Sequence, residues 1–332
     1  MSAALWRTAV LPFVVVMLVR WYRALRERVR LAHHPEKNHP VLFKWMAKSK
    51  VLREGYRPPA WWSIGSQFLV GSLHTVYHHI ARNIVSPVEQ VCYDRELFKL
   101  ECGATVGLDW AMKVGDLEAP CRHDSSKPIV FLHHGLAGCS RSHYVQSIIA
   151  QLLEHNAFRV VVMVARGCGG VPLTTPYGFT AAGYDDMRQV AEHLRSENPD
   201  AKMYAVGYSL GAGLLANYLG RSSTDCVFSG AVVVSPCWDF HKTTPYFEVW
   251  SRAFLAIHTP TLALSADDDP VCSVEGADIM TEKNHFGPGL LIARTNRGGH
   301  VSWAEGATGH ASWMDRIIME WITTCAAHDA SL

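Results

Sequence analysis

The sequence has no C-x-x-C pair, no G-x-x-x-x-G-K-[ST] loop and no His-Glu-x-x-His run. The first absence removes a thioredoxin-like redox site, the second P-loop phosphate chemistry and the third the common zinc-peptidase site. Histidines occur as adjacent pairs, His33/His34, His78/His79 and His133/His134. Neighbours on a helix do not face one ion. His74 and His78 have the right spacing but lack the intervening Glu, so no metal and no cofactor is expected. Repeats and low-complexity tracts are also missing. Charged residues are sparse, at 18% against 48% hydrophobic, a balance that excludes disorder and fibrous classes. Nine cysteines are an odd number. They read as mostly reduced thiols facing a reducing compartment, the alternative being a lumenal domain with a few disulfides.

Charge is unevenly placed. Residues 1–60 carry 12 Lys/Arg and 3 Asp/Glu, a net +9, which leaves −8 for the other 272 residues. A basic head suits an anionic membrane face better than nucleic acid, because its aromatics sit in an apolar run rather than among basic residues. That run, residues 3–22, is interrupted by Arg7, Thr8 and Arg20. Its uncharged stretch is Thr8–Val19. With both arginines snorkelling it reads as an N-terminal membrane anchor, with Trp6, Trp21 and Tyr22 at the interfaces. The arginines that follow it favour a cytosolic body. A cleaved signal peptide and a peripheral helix are the rivals.

The expected organisation is an anchor and basic flank over 1–30, a connecting helical region over 31–90, and a catalytic domain over 91–328. Helices are expected near 41–53 and 66–84. Glu96–Glu101 and Leu108–Lys113 read as a strand pair joined by Gly103 and Gly107. Pro128–His133, Arg159–Ala165, Lys202–Val206, Val227–Ser235, Thr261–Ser265 and Gly289–Ala293 are apolar strands. Helical patterns at 142–155, 181–197, 210–220, 273–283 and 310–325 lie between or after them. Strands apolar on both faces that alternate with helices imply an α/β fold with a mostly parallel central sheet and helices on both faces.

Gly207-Tyr208-Ser209-Leu210-Gly211 is a G-x-S-x-G pentapeptide. Alone it is weak. Its strand before and helix after are what a nucleophile elbow requires, so Ser209 is the candidate nucleophile. A serine hydroxyl needs a base, and the base an orienting carboxylate. Downstream, Asp267, Asp268 and Asp269 end one strand before Pro270, and Gly298-Gly299-His300 follows another. Both positions lie past strand C-terminal ends, where open α/β sheets build their sites. Asp269 and Asp268 compete for the acid, and His300 is the base. Backbone N–H groups of Leu210 and of Leu136, in the His133–Gly138 loop, are the candidate oxyanion donors. His134 is expected to shape that loop rather than react. Tyr208 and Trp238 are the candidate substrate-binding side chains.

Taken together, HHGLAG, RGCGG at 166–170, GYSLGAG, VVSPCWDF at 233–240, SADDDPV and GGHVSWAEG resemble the α/β-hydrolase superfamily from about residue 90 to 325. They are most similar to its type 4 branch of membrane-anchored lipases and esterases. The resemblance implies an α/β-hydrolase fold with Ser209 as nucleophile, Asp269 as acid and His300 as base. It also implies activity on esters of medium or long acyl chains, including monoacylglycerols and phospholipids, or acyl transfer to alcohols. The implied partners are a lipid or ester substrate and an endomembrane, with no nucleic acid. Animal members are type II membrane proteins, which conflicts with the positive-inside reading and leaves orientation open. The interval Cys237–Thr259 is far shorter than the family's usual lid, and one helix near 245–257 is expected there. The alternative function is a catalytically impaired relative that only binds ligand.

Overall fold

The computed structural model describes residues 11–24, 28–59, 67–77, 91–114, 126–238, 253–272, 278, 287–306, 309 and 311–331. In chain order the elements are α1 (Leu11–Ala24), β1 (Arg30–His33), α2 (Pro40–Lys48), α3 (Lys50–Glu54), α4 (Gln67–Val76), β2 (Val91–Lys99), β3 (Thr105–Lys113) and β4 (Ile129–His133). They continue with α5 (His143–His155), β5 (Arg159–Val164), α6 (Tyr184–Glu197), β6 (Met203–Tyr208), α7 (Leu210–Ser222), β7 (Gly230–Val234), β8 (Thr261–Ala266), β9 (Leu290–Thr295), β10 (Ala304–Glu305), β11 (Ala311–Ser312) and α8 (Trp313–Asp329). Nine strands form one sheet in the order β1-β9-β8-β7-β6-β4-β5-β3-β2. The six from β5 to β9 through β4 run parallel, and the edges β1 and β2–β3 are antiparallel.

The continuous apolar strands are explained by burial on both sides. Along β4, Val130 and Leu132 join a core with Ile148, Ile149, Ile317 and Trp321, from α5 and α8. Ile129 and Phe131 point the other way, into a core with Met187, Leu214 and Leu215, from α6 and α7. Alternate side chains thus serve opposite layers, which is why the strand interior is apolar on both faces and the polar His133 comes only at its C-terminal end. Fully burying one such aliphatic side chain contributes about 1.5–3 kcal/mol.

Several element boundaries differ from the expected ones for local reasons. The helix expected over 41–53 is two helices, because Ser49 ends α2 and caps α3, its Oγ accepting Leu52 N–H at 3.0 Å. Gly183 and Ser312 precede the first residues of α6 and α8, which start later than the apolar pattern suggests. Gly107 lies inside β3 rather than in the hairpin turn, and a Cβ there would meet Val171 at 2.9 Å. The helix expected at 273–283 and that at 245–257 fall mostly outside the described residues, as does 78–84.

The short strand β1 lies at the junction of the basic flank and the connecting region and is unforeseen. It closes the sheet edge by pairing Arg30–His33 with Leu291–Arg294. α2 follows it onto the core, where the Trp45 ring meets Trp321 edge-on at 5.1 Å.

The membrane anchor is corrected. Among the described residues no helix is long and apolar enough to cross a membrane. α1 has 14 residues, which at 1.5 Å per residue span about 21 Å of a ~30 Å hydrocarbon core. The apolar composition of residues 3–22 suggests a span that the described helix does not supply. Residues 3–10 of that run lie outside the described residues.

Candidate active site

Ser209 sits between β6 and α7 with φ 52° and ψ −117°, a left-handed backbone that a residue other than glycine adopts only under constraint. The surrounding glycines allow the tight turn. A Cβ on Gly207 would lie 2.7 Å from Ala212 Cα, and one on Gly211 would lie 2.4 Å from the carbonyl oxygen of His134. The elbow and the loop after β4 therefore approach closely because a glycine stands at the contact.

The three sequence-predicted triad residues converge. Ser209 Oγ lies 2.7 Å from His300 Nε2, and His300 Nδ1 lies 2.9 Å from Asp269 Oδ2 and 3.1 Å from Oδ1. Asp269 is fixed in turn by its own loop, since Oδ1 accepts the N–H groups of Val271 at 2.8 Å and Cys272 at 2.9 Å. Asp268 points elsewhere. It is buried, and burial pushes its carboxyl up to about 7. Its Oδ1 accepts the Gly299 N–H at 2.8 Å.

The His300 loop is held by three consecutive amides. Gly299 N–H goes to Asp268, His300 N–H to Thr75 Oγ1 at 2.9 Å, and Val301 N–H to Ser235 Oγ at 3.1 Å. Thr75 belongs to α4, upstream of the large sheet strands. The helix approaches closely because Gly71 is bare: a Cβ there would lie 1.6 Å from the Asp268 carbonyl oxygen. His74, beside Thr75, is buried and pulled down to about 2 by desolvation, so it is neutral. Asp268 and Ser235 stand inside SADDDPV and VVSPCWDF, but those motifs do not say which amide each side chain holds, and Thr75 stands in none. The sequence signal beside Thr75 is the small Gly71, and a lone glycine in a helical pattern does not say which element packs against it.

The predicted oxyanion donors occupy the loop and helix start facing the nucleophile. Leu210 is the first residue of α7, so its N–H has no intrahelical acceptor. Leu136 lies in the loop after β4, whose first residues are held by hydrogen bonds. His134 Nδ1 donates to the Gly135 carbonyl at 2.7 Å, and its Nε2 accepts Ala165 N–H at 3.0 Å. Burial pulls His134 down to about 4, so it keeps the neutral form this pairing needs. Gly135 N–H donates to the Tyr144 hydroxyl at 3.0 Å.

A cavity of about 390 Å³ opens over the triad. It is lined in part by Ser209, His300, Leu136, Ala137, Val271 and Thr75. A larger open hollow of about 720 Å³, between α3, α5 and α8, contains none of the triad. Tyr208 and Trp238 line neither. Tyr208 is fully buried with its ring 4.9 Å from Tyr144, and Trp238 packs 4.9 Å from Phe254 with its indole N–H donated to Ser265 Oγ at 2.9 Å. Although they stand within the elbow pentapeptide and the interval 237–259, these two side chains lie in core layers and not in the cavity wall. Asp269, Cys272 and His300 offer potential metal-ligand atoms within 4.8 Å of one another. The Asp269–His300 hydrogen bond already occupies two of these groups.

The family profile described as alpha/beta hydrolase fold matches residues 128–258. Human phospholipase ABHD3 is 31% identical, over 85% of this chain and 82% of that one. The monoacylglycerol lipase of Saccharomyces cerevisiae is 26% identical over 56% of this chain and 57% of its own length. The embryogenesis-associated protein EMB8 of Picea glauca is 27% identical over 69% and 65%. The chain thus spans about three fifths of the length of these last two relatives. Among solved structures, esterase Pf2001 of Pyrococcus furiosus superposes with a TM-score of 0.54 at 16% identity, over 70% of this chain and 92% of that one, a likeness of fold.

Proposed function

The chain belongs to the α/β-hydrolase family, and on that premise we propose that it is a serine hydrolase that cleaves carboxylic esters of medium or long acyl chains. The observation that carries this reading is the unbroken relay Ser209–His300–Asp269, at 2.7 and 2.9 Å, opening on a cavity. The names of relatives as a phospholipase and a monoacylglycerol lipase support a lipid ester as substrate.

In this reading His300 Nε2 takes the proton of Ser209 Oγ as the oxygen attacks the ester carbonyl. The Leu136 and Leu210 N–H groups receive the developing oxyanion. His300 then returns the proton to the leaving alcohol, and the acyl group stays on Ser209. Water, or an alcohol in an acyl transfer, is deprotonated by the same imidazole and releases the acyl group. Asp269 holds Nδ1–H and stabilises the imidazolium formed in each half. His134 keeps the oxyanion loop in place before reaction, so little reorganisation is needed.

The test is fluorophosphonate labelling of the purified protein, followed by turnover of an ester chain-length series. Ser209→Ala should abolish labelling while circular dichroism is unchanged, and kcat should fall by about 10⁶, as for loss of a nucleophile elsewhere. Full labelling of the Ala variant would remove Ser209 as nucleophile. The alternative, a relative that only binds ligand, predicts no labelling in either protein.

A further inference from the structure

Two thiols flank the candidate acid. Cys237 follows β7, two residues after Ser235, and Cys272 lies three residues after Asp269. Their Sγ atoms are 3.3 Å apart. Both residues are partly exposed, and both are free thiols. Cys272 also reaches the Ser235 carbonyl at 3.4 Å, so its S–H has two acceptors in this junction.

We propose that Cys237 and Cys272 form an oxidisable dithiol site, which a hydroperoxide converts into an intramolecular disulfide that lowers turnover. The pair is set up asymmetrically. The Cys272 S–H beside Cys237 holds the Cys237 thiol below its usual value, and Cys272 itself is pushed up by that contact and by burial. Cys237 is therefore the attacking sulfur, because the thiolate is the nucleophile. It loses its proton and attacks the outer oxygen of the hydroperoxide. The O–O bond breaks, the alcohol ROH leaves with that proton, and Cys237 becomes a sulfenic acid. The Cys272 sulfur then attacks the Cys237 sulfur. The S–S bond forms, the S–O bond breaks, and hydroxide leaves with the Cys272 proton as water. In sum, two thiols and ROOH give a disulfide, ROH and water.

The effect on turnover follows from what each cysteine adjoins, and this part rests on the ester-hydrolase reading. The Cys272 N–H is one of the two amides that hold Asp269. Ser235, near Cys237, holds the amide after His300. A disulfide requires the sulfurs at about 2.05 Å, so the acid loop and the β7 exit must draw together from 3.3 Å. A displacement of about 1 Å in a positioning group can cost about 10² in rate.

The test uses the full chain treated with hydrogen peroxide, with free thiols then blocked and the protein digested without reduction. A peptide joining residues 237 and 272, two hydrogens lighter than the sum, is expected. Ester turnover should fall at least tenfold and return with dithiothreitol. Cys237→Ser should form no such peptide and keep its rate through the same treatment. Absence of the joined peptide in the unaltered protein would overturn the proposal, and so would its formation with no change in rate. The mass reading needs no turnover, so failure of the dithiol and failure of the esterase reading are separate results.

Discussion

The hydroxyl of Thr75 accepts the backbone N–H of His300 at 2.9 Å and donates to the Gly71 carbonyl, also at 2.9 Å. A threonine on α4, far upstream in the chain, thus sets the height of the His300 imidazole, the proposed base. It acts through the backbone of His300, so it is a positioning residue. Thr75→Val keeps the shape and removes the acceptor. Leaving one buried N–H unpaired costs about 1–3 kcal/mol, and a comparable loss in positioning means a fall in kcat of roughly tenfold to hundredfold. Thr75→Ser restores the oxygen and should recover most of the rate. A purely structural role predicts the same melting loss with unchanged kcat, so kcat and thermal midpoint are measured on both variants.

The Asp268 carboxyl is raised to about 7 by burial. The folded protein therefore holds a proton there that the unfolded chain has already released between its ordinary carboxylate range and pH 7. Stability from this group declines as pH rises through that window, by at most about 1.4 kcal/mol per pH unit. His74 works in the opposite direction. It is pulled down to about 2, so the unfolded chain takes up a proton below about pH 6.5 that the folded one refuses. His74 Nδ1 lies 3.9 Å from Asp268 Oδ2, so the difference between proteins reads the Asp268 site together with its histidine neighbour. Asp268→Asn keeps an acceptor for Gly299 N–H and cannot ionise, so its urea midpoint should drop less from pH 5 to pH 8 than that of the unaltered protein. Parallel pH profiles would place the titration elsewhere.

Adjacent aspartates provide a third test, because their contacts separate their roles. Asp269 meets His300 Nδ1, whereas Asp268 meets the Gly299 amide. Asp269→Asn should lower kcat by about 10⁴ through the wrong imidazole tautomer. Asp268→Asn should lower it far less, by tenfold or under, because the amide still finds an oxygen. Steady-state kinetics on both variants at pH 8 decide the assignment, and the reverse order would move the acid by one residue.

The proposed triad is legible in the sequence because each member stands just past the C-terminal end of a strand that is itself readable from its apolar run. Ser209 adds two glycines whose missing Cβ atoms the structure requires, and His300 follows two more. The supports of the triad are not legible, because their partners are distant in sequence. Thr75 and His300 are 225 residues apart, Ser235 and Val301 66, and Asp268 and Gly299 31. A single hydrogen bond across such distances leaves no periodicity. β1 is hidden for a different reason. Its four residues, Arg-Leu-Ala-His, are at an edge and half exposed, so they lack the two-sided apolar run of the inner strands. The apolar composition of residues 3–22 suggests an anchor, whereas the part of that run described in α1 is too short to cross a membrane. Tyr208 and Trp238 lie away from the cavity because nearness in sequence to the elbow does not decide which layer a side chain enters.

Val271 offers a way to measure the acyl site. It lines the cavity beside Ser209 and His300 and is 61% exposed, so a larger side chain there meets the cavity before it meets the core. Each acyl CH₂ that enters an apolar site contributes about 0.8 kcal/mol, close to fourfold in kcat/KM. A series of monomeric p-nitrophenyl esters should therefore climb about fourfold per carbon from acetate and level off once the cavity of about 390 Å³ is filled. Val271→Trp takes up part of that volume, so the plateau should arrive at a shorter chain while the acetate ester keeps most of its rate. An unchanged plateau would mean that the acyl group leaves the triad in another direction and that Val271 faces the alcohol part of the ester. In that case the same substitution should shift preference along a series of acetate esters that differ in their alcohols.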